Sequence, residues 1–345
     1  MTGIPTRLLT RPIARRRNAH QLASNRSPNG VYETRYITVG GIEQWVSIRG
    51  DDRRNPILFF VHGGPGMGHT MFNPLLRPWE RHFTLVQWDQ RGSGQTRRRS
   101  GPLREGEWTL ARLESDAVEV ARYLLAELGQ DKLILLAGSA GSTFGLAVAK
   151  HHPELLHAYV GTDQHTGAAT LRRCRQVTLN WLHHTGKAKA AKAIEAIGAD
   201  PATWTADQAS ILARWAVKAD PTVPNMITDV VLPAMISSPE HNLRDLSQVT
   251  KGMAESMAQW HGQITRFDPG ALGADFAVPV LILQGDSDAL APADAARDYL
   301  DTITAPRKEL ALINNSGHLA MFTRPNQFLD ELVRLTRPHA THSSA

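Results

Sequence analysis

The chain has a single cysteine, Cys174, in 345 residues. That excludes an intrachain disulfide framework and any metal site built from several cysteines. Long apolar runs are also missing. No stretch approaches the ~18 apolar residues a membrane-spanning helix needs, so no membrane partner is expected. Charged residues make up 21% and hydrophobic residues 42%, a balance that excludes a mostly disordered chain. Neither an HExxH string, a P-loop nor a dinucleotide fingerprint occurs, and the expectation is no cofactor and no metal. The pairs His151-His152 and His183-His184 lack a carboxylate or cysteine at ligand spacing and read as surface histidines.

Acidic residues are absent from positions 1–30, which hold Arg7, Arg11, Arg15, Arg16, Arg17 and Arg26. Those six positive charges, set against a net +5 for the whole chain, leave residues 31–345 at −1. A nucleic-acid binder carries its positive charge on a folded face; a basic tail on a neutral body does not make one. The tail also lacks the apolar stretch of a signal peptide. It reads as a disordered leader on a cytoplasmic protein, with a matching flexible C-terminus at 339–345.

What is present is a repeated pattern. Alternating runs at Tyr36–Val39 and Glu43–Ile48, split by Gly40-Gly41, suggest a hairpin. Continuous apolar runs then end abruptly in glycine-rich turns. Ile57–Val61 leads into His62-Gly63-Gly64-Pro65-Gly66, Phe83–Trp88 into Asp89-Gln90-Arg91-Gly92-Ser93-Gly94, and Lys132–Leu136 into Ala137-Gly138-Ser139. Continuous hydrophobicity indicates strands covered on both faces, as in a parallel sheet. Helical spacing over Leu110–Leu128, stopped by Gly129, supplies a crossover. From about 164 to 272 the reading is helical, and strands return at Pro279–Leu283 and Glu309–Ile313. The expectation is an α/β fold: a mostly parallel sheet flanked by helices, core 31–163 and 273–338, with a helical cap at 164–272 inserted before the last two strands.

Three residues stand just past the ends of predicted strands, in the order Ser139, Asp288, His318. Parallel strands bring those ends to one edge, where open α/β sheets bind ligands. Ser139 sits between small neighbours at a strand–turn–helix junction, the context of a nucleophile elbow. A serine hydroxyl needs a base to take its proton, which His318 supplies near neutrality; Asp288 would fix the imidazole tautomer. Asp286 competes with Asp288 for that role. The backbone N–H groups of Ala140 and Gly64 are candidate oxyanion donors. His62, Gly63, Pro65, Trp181 and Trp260 are candidate pocket residues, and Pro65 among glycines suggests a shaped turn with a possible cis bond.

Together, His62–Gly66, Asp89–Gly94, the Gly138–Ser142 elbow, Asp288 and Ser316-Gly317-His318 resemble the proline iminopeptidase branch of the α/β-hydrolases, peptidase family S33. The resemblance implies an α/β-hydrolase fold and a serine acyl-enzyme. It also implies a helical cap whose carboxylates hold the free amino end of a short peptide. Family elbows usually carry an aromatic residue after the nucleophile, where this chain has Ala140. The insertion's acids are Glu195, Asp200, Asp207, Asp220, Asp229, Glu240, Asp245, Glu255 and Asp268, and no local motif singles out a pair among them. An aminopeptidase or amidase is therefore the leading expectation and a carboxylesterase or lactonase the alternative. A non-catalytic receptor on the same fold is a distant third.

Overall fold

The computed structural model describes residues 4–24, 26–64, 66–104, 107–223 and 225–340. Helix α1 (Ile4–Ala23) precedes the hairpin β1 (Val31–Val39) and β2 (Ile42–Gly50). Then follow β3 (Ile57–Val61), the short α2 (Asn73–Leu76), β4 (Thr84–Asp89), α3 (Gly94–Ser100) and α4 (Leu110–Leu128). The elements β5 (Leu133–Gly138), α5 (Gly141–His151) and β6 (Leu156–Thr162) lead into a helical insertion. The insertion comprises α6 (Ala168–His184), α7 (Ala188–Glu195), α8 (Ala206–Ala216), α9 (Leu232–Ser237) and α10 (Leu243–Ile264). The chain closes with β7 (Val280–Gly285), α11 (Ala293–Thr302), β8 (Lys308–Ile313), α12 (Ala320–Thr323) and α13 (Pro325–Thr336).

The strands form one sheet in the order β1-β2-β4-β3-β5-β6-β7-β8. β2 runs antiparallel to both β1 and β4, and from β4 to β8 every pairing is parallel. The turn from β1 to β2 has φ of 55° at Gly40 and 77° at Gly41, which glycine adopts without strain. The continuous apolar strands acquire a simple explanation. In β3, Ile57, Phe59 and Val61 join the core on one face while Leu58 and Phe60 join the core on the other. In β5, Leu133, Leu135 and Ala137 divide from Ile134 and Leu136 in the same way. Each of these Val, Ile, Leu or Phe side chains, fully buried, contributes about 1.5–3 kcal/mol. A polar residue at any of these positions would face a core on either side. The insertion has a small core of its own, centred on Leu182, Ile194, Trp204 and Leu212.

Residues 4–23 differ from the expected disordered leader: they form α1. Its arginines are employed locally. Arg15 donates to the carbonyls of Pro239 (2.8 Å) and His241, Asn18 donates to Ser237 O (3.0 Å), and Gln21 to Pro74 O (2.8 Å). The carbonyls of Ser237, Pro239 and His241 lie at and just beyond the end of α9, where no further helical turn supplies N–H partners, and Pro74 lies in α2. Composition alone concealed this, because the polar face of a docked helix looks like a solvated tail.

The turn after β4 is held by a buried carboxylate. Asp116 of α4 is fully buried and accepts from Arg91 Nε (2.7 Å), Gln44 Nε2 (2.9 Å) and Arg112 Nε (2.7 Å). Removing one member of a buried ion pair leaves the other charge uncompensated, at about 3–5 kcal/mol. Asp116→Ala is accordingly expected to lower unfolding stability by about that amount. Urea denaturation with an unchanged m-value would register it, whereas a loss below about 1 kcal/mol would mean that the pair is effectively solvated.

Candidate active site

Every parallel strand ends at the same edge, and the polar residues of interest stand there. Ser139 follows β5, Asp163 follows β6, Asp288 lies three residues past β7, and His318 five past β8. Ser139 has φ of 50°, a left-handed conformation that costs a non-glycine residue roughly 1–2 kcal/mol. Hydrogen bonds hold it there. Its N–H donates to Thr162 O (2.9 Å), and its carbonyl accepts from both Ser142 N (2.9 Å) and Ser142 Oγ (2.6 Å). Ser142 is thereby committed to bracing the turn.

The glycines around the elbow are required by close approach. A Cβ on Gly63 would fall 2.5 Å from Gly138 O and from Ser139 Cβ, and 3.1 Å from Ala140 N. A Cβ on Gly141 would fall 2.5 Å from Val61 O. The Gly63-Gly64 main chain therefore lies against the elbow, with Gly64 and Ala140 both lining the cavity beside Ser139. Pro65 lies outside the described residues.

His318 Nε2 is 3.2 Å from Ser139 Oγ, and His318 Nδ1 is 2.8 Å from Asp288 Oδ2. Asp288 is itself fixed. Its Oδ1 accepts from Leu290 N and Ala291 N (both 2.8 Å), while Oδ2 also accepts from Gln284 Nε2 (3.0 Å). Asp286, the competing acid, instead shapes the loop that carries His318, accepting from Asn315 N (2.9 Å) and Ser316 N (3.2 Å). Burial pushes its carboxyl up, but these hydrogen bonds, with that of Ser287, together outweigh it and hold the carboxyl below the usual range.

Asp163 was not singled out in the sequence. Its signal was a carboxylate immediately after an apolar strand, at the same sheet edge. It is buried, has φ of 49°, and accepts Leu319 N at 3.2 Å on each oxygen. Burial, assisted by the charge of Asp288, pushes its pKa up to about 7, against the opposing influence of His318. Asp163, Asp288 and His318 each present a ligand-type atom within 4.8 Å of the others. The carboxylate oxygens already accept protein N–H groups.

Burial by itself would lower the pKa of His318, but the charges of Asp288 and Asp163 and the Asp288 hydrogen bond outweigh it and raise it to about 9. A free imidazole titrates at ~6.5; the two carboxylates move His318 upward.

The cavity in front of Ser139 measures about 620 Å³, and its walls combine the sheet edge with the insertion. Of the candidate pocket residues, Gly63 and Trp260 line it, as does Gly64. Two expected pocket residues do not. Trp181 packs against Trp215, with ring centroids 6.5 Å apart, away from the cavity. His62 turns inward: Nδ1 donates to Gly63 O (2.8 Å), Nε2 accepts from Gln90 N (3.3 Å), and His62 O accepts from Gln90 Nε2 (2.8 Å). Burial lowers its pKa to about 4, so it stays neutral. The Asp89–Gly94 turn thus braces the Gly63-Gly64 loop. Leu171, Trp204, Met253 and Met257 line the cavity from the insertion, residues that no local motif distinguished. Asp207 is the one insertion carboxylate among the described residues that lines it. His151 pairs with Glu114 and His183 with Glu195 at the surface.

Residues 56–325 match the alpha/beta hydrolase fold family, and the chain belongs to it. The "Probable aminopeptidase YbaC" of Bacillus subtilis is 27% identical over 88% of this chain and 96% of that protein. A "Proline iminopeptidase" of Neisseria meningitidis is 31% identical over 45% of each chain. Among solved structures, the proline iminopeptidase of Mycobacterium smegmatis superposes with a TM-score of 0.63 at 17% identity, covering 89% of this chain and 98% of that one. The chain is a hydrolase of this family with aminopeptidase-like relatives.

An imidazole that must be neutral to accept a proton, but whose pKa is raised, gives activity that grows with pH. The expected kcat/KM profile climbs through an apparent pKa above the ordinary ~6.5 of histidine and then levels off. Asp163→Asn removes one of the raising charges and should move that limb toward acid. Identical profiles for the two proteins would show that Asp163 does not act on the base.

Proposed function

We propose that the chain is a serine hydrolase that works through an acyl-enzyme, with Ser139 as nucleophile. The observation that carries this reading is the run of contacts from Ser139 Oγ through His318 to Asp288, opening into the cavity. As Ser139 Oγ attacks the scissile carbonyl carbon, His318 Nε2 takes its proton. Asp288 holds the Nδ1–H tautomer and stabilises the imidazolium. The carbonyl oxygen gains negative charge opposite the N–H groups of Gly64 and Ala140, whose positions exist before substrate binds and need no reorganisation. When the intermediate collapses, His318 returns the proton to the leaving amine or alkoxide, and the acyl group stays on Ser139. Water, deprotonated by the same His318, then attacks the acyl-enzyme and frees the acid.

The walls favour an acyl group with a substantial apolar part, held in an ester or amide. Met67, Met253, Met257 and Trp260 can adapt to several shapes, and Ala140 leaves the space beside the nucleophile open. The aminopeptidase reading is favoured by the relative that spans most of the chain. It requires a carboxylate for the substrate ammonium, because a desolvated unpaired charge is costly; within the insertion the candidate is Asp207, an exposed residue that lines the cavity.

Ser139→Ala should reduce turnover by about 10⁴-fold or more and abolish fluorophosphonate labelling while the protein stays folded. Labelling that persists, or maps to Ser142, would overturn the nucleophile. For the substrate, an aminoacyl anilide is compared with its N-acetylated form. A loss of about tenfold or more on acetylation, ~1.4 kcal/mol of transition-state binding, that disappears in Asp207→Ala supports the aminopeptidase. Equal rates assign the site to esters and amides without a free amine.

A further inference from the structure

His69 is the polar group in this cavity that the reaction leaves unused. It follows the Gly63–Gly68 loop, lines the cavity and is 3% exposed. Its main-chain carbonyl accepts Phe72 N (2.9 Å), but neither ring nitrogen has a hydrogen-bond partner among the described residues. Its neighbours offer none. The ring stacks on Phe60 (centroids 5.5 Å, 30°) and meets Phe72 and Phe322 edge-on (5.8 and 5.4 Å). His62 lies 5.3 Å away, with both its nitrogens engaged elsewhere. Nε2 lies 3.9 Å from where a Cβ on Gly64 would stand, which puts the imidazole beside one of the two oxyanion donors.

A leucine or phenylalanine would suit this aromatic cage better. Leaving a buried donor or acceptor without a partner is destabilising, and such a group calls for an explanation. The nature of a partner follows from the ring. Burial, with electrostatic coupling to His62 and His318, keeps the pKa of His69 well below the ordinary histidine value. It therefore presents one N–H donor and one lone pair without a charge of its own, which suits an uncharged oxygen better than an anion.

We propose that His69 is a specificity residue that hydrogen-bonds an uncharged oxygen, a carbonyl or hydroxyl, on the acyl part of the substrate next to the scissile group. This deepens the serine-hydrolase reading and rests on it. A site built to pair a substrate oxygen discriminates strongly against the analogue that lacks it, because the protein group is then left bare. The bound acyl group would thus be apolar over most of its length and oxygenated near the reacting carbonyl.

The test uses pairs of 4-nitrophenyl esters, a straight-chain acyl group against the same chain bearing an oxo group stepped along it, with wild type, His69→Leu and His69→Gln. The wild type should favour one oxo position by about tenfold or more in kcat/KM. His69→Leu should bring that ratio close to one and raise Tm, since an unpaired polar group has been replaced by one that packs. His69→Gln, which keeps a donor and an acceptor, should preserve most of the preference. A wild type without preference at any oxo position, or a ratio unchanged in His69→Leu, overturns the assignment. Fluorophosphonate labelling of Ser139 in all three proteins separates the two readings: an unlabelled wild type strikes the nucleophile instead.

Discussion

Everything at this site depends on how closely three stretches of main chain approach one another at the end of β5. Ser139 is held at φ of 50°, and the loop after β3 and the first turn of α5 press on it from two sides. Neither contact tolerates a Cβ at Gly63 or Gly141. That crowding aims the hydroxyl into the cavity and brings Gly64 and Ala140 to its flank. The strain of one residue is small beside the burial in β3 and β5, whose side chains feed a core on each face of the sheet. A rigid sheet makes the strained turn affordable, and the turn supplies the geometry.

The second constraint is electrostatic. His318 is nearly dry and lies between two carboxylates, Asp288 through a direct hydrogen bond and Asp163 through its field. Burial resists a charged imidazole while the carboxylates favour one, and the carboxylates prevail. The same balance would stabilise an imidazolium in the proposed acyl transfer, and it makes the resting imidazolium harder to deprotonate. Asp163 also anchors the backbone just after His318 through Leu319 N. Asp163, at the end of β6, thus acts alongside Asp288 on both the position and the basicity of His318.

The helical insertion adds the apolar walls, and α1 helps to fasten it. Arginine and amide side chains of α1 donate to the carbonyls around Ser237, Pro239 and His241, at the end of α9. The basic charge that stands out in the composition therefore has an internal use in the fold. Within the cavity, His69 contrasts with its aromatic surroundings much as Asp163 does with the strand ends: each is a buried polar group whose cost is understandable only from the chemistry beside it.

The local sequence determined those features that depend on neighbours along the chain. Continuous apolar strands, the amphipathic Leu110–Leu128 helix ended by Gly129, and glycines at tight turns follow from periodicity and backbone sterics. So does the placement of Ser139, Asp288 and His318 at strand ends, which a parallel sheet must gather at one edge. Tertiary structure decided what depends on distant partners. It brought Asp163 beside His318 across 155 residues and turned His62 inward toward Gln90. It also placed Trp181 in the insertion's own packing and left Trp204 and Trp260 at the cavity. The arginines of α1 found acceptors more than 200 residues away. A residue's burial, its partners and therefore its pKa are properties of the space around it. In that space, strand ends far apart in sequence become neighbours only after the sheet has formed.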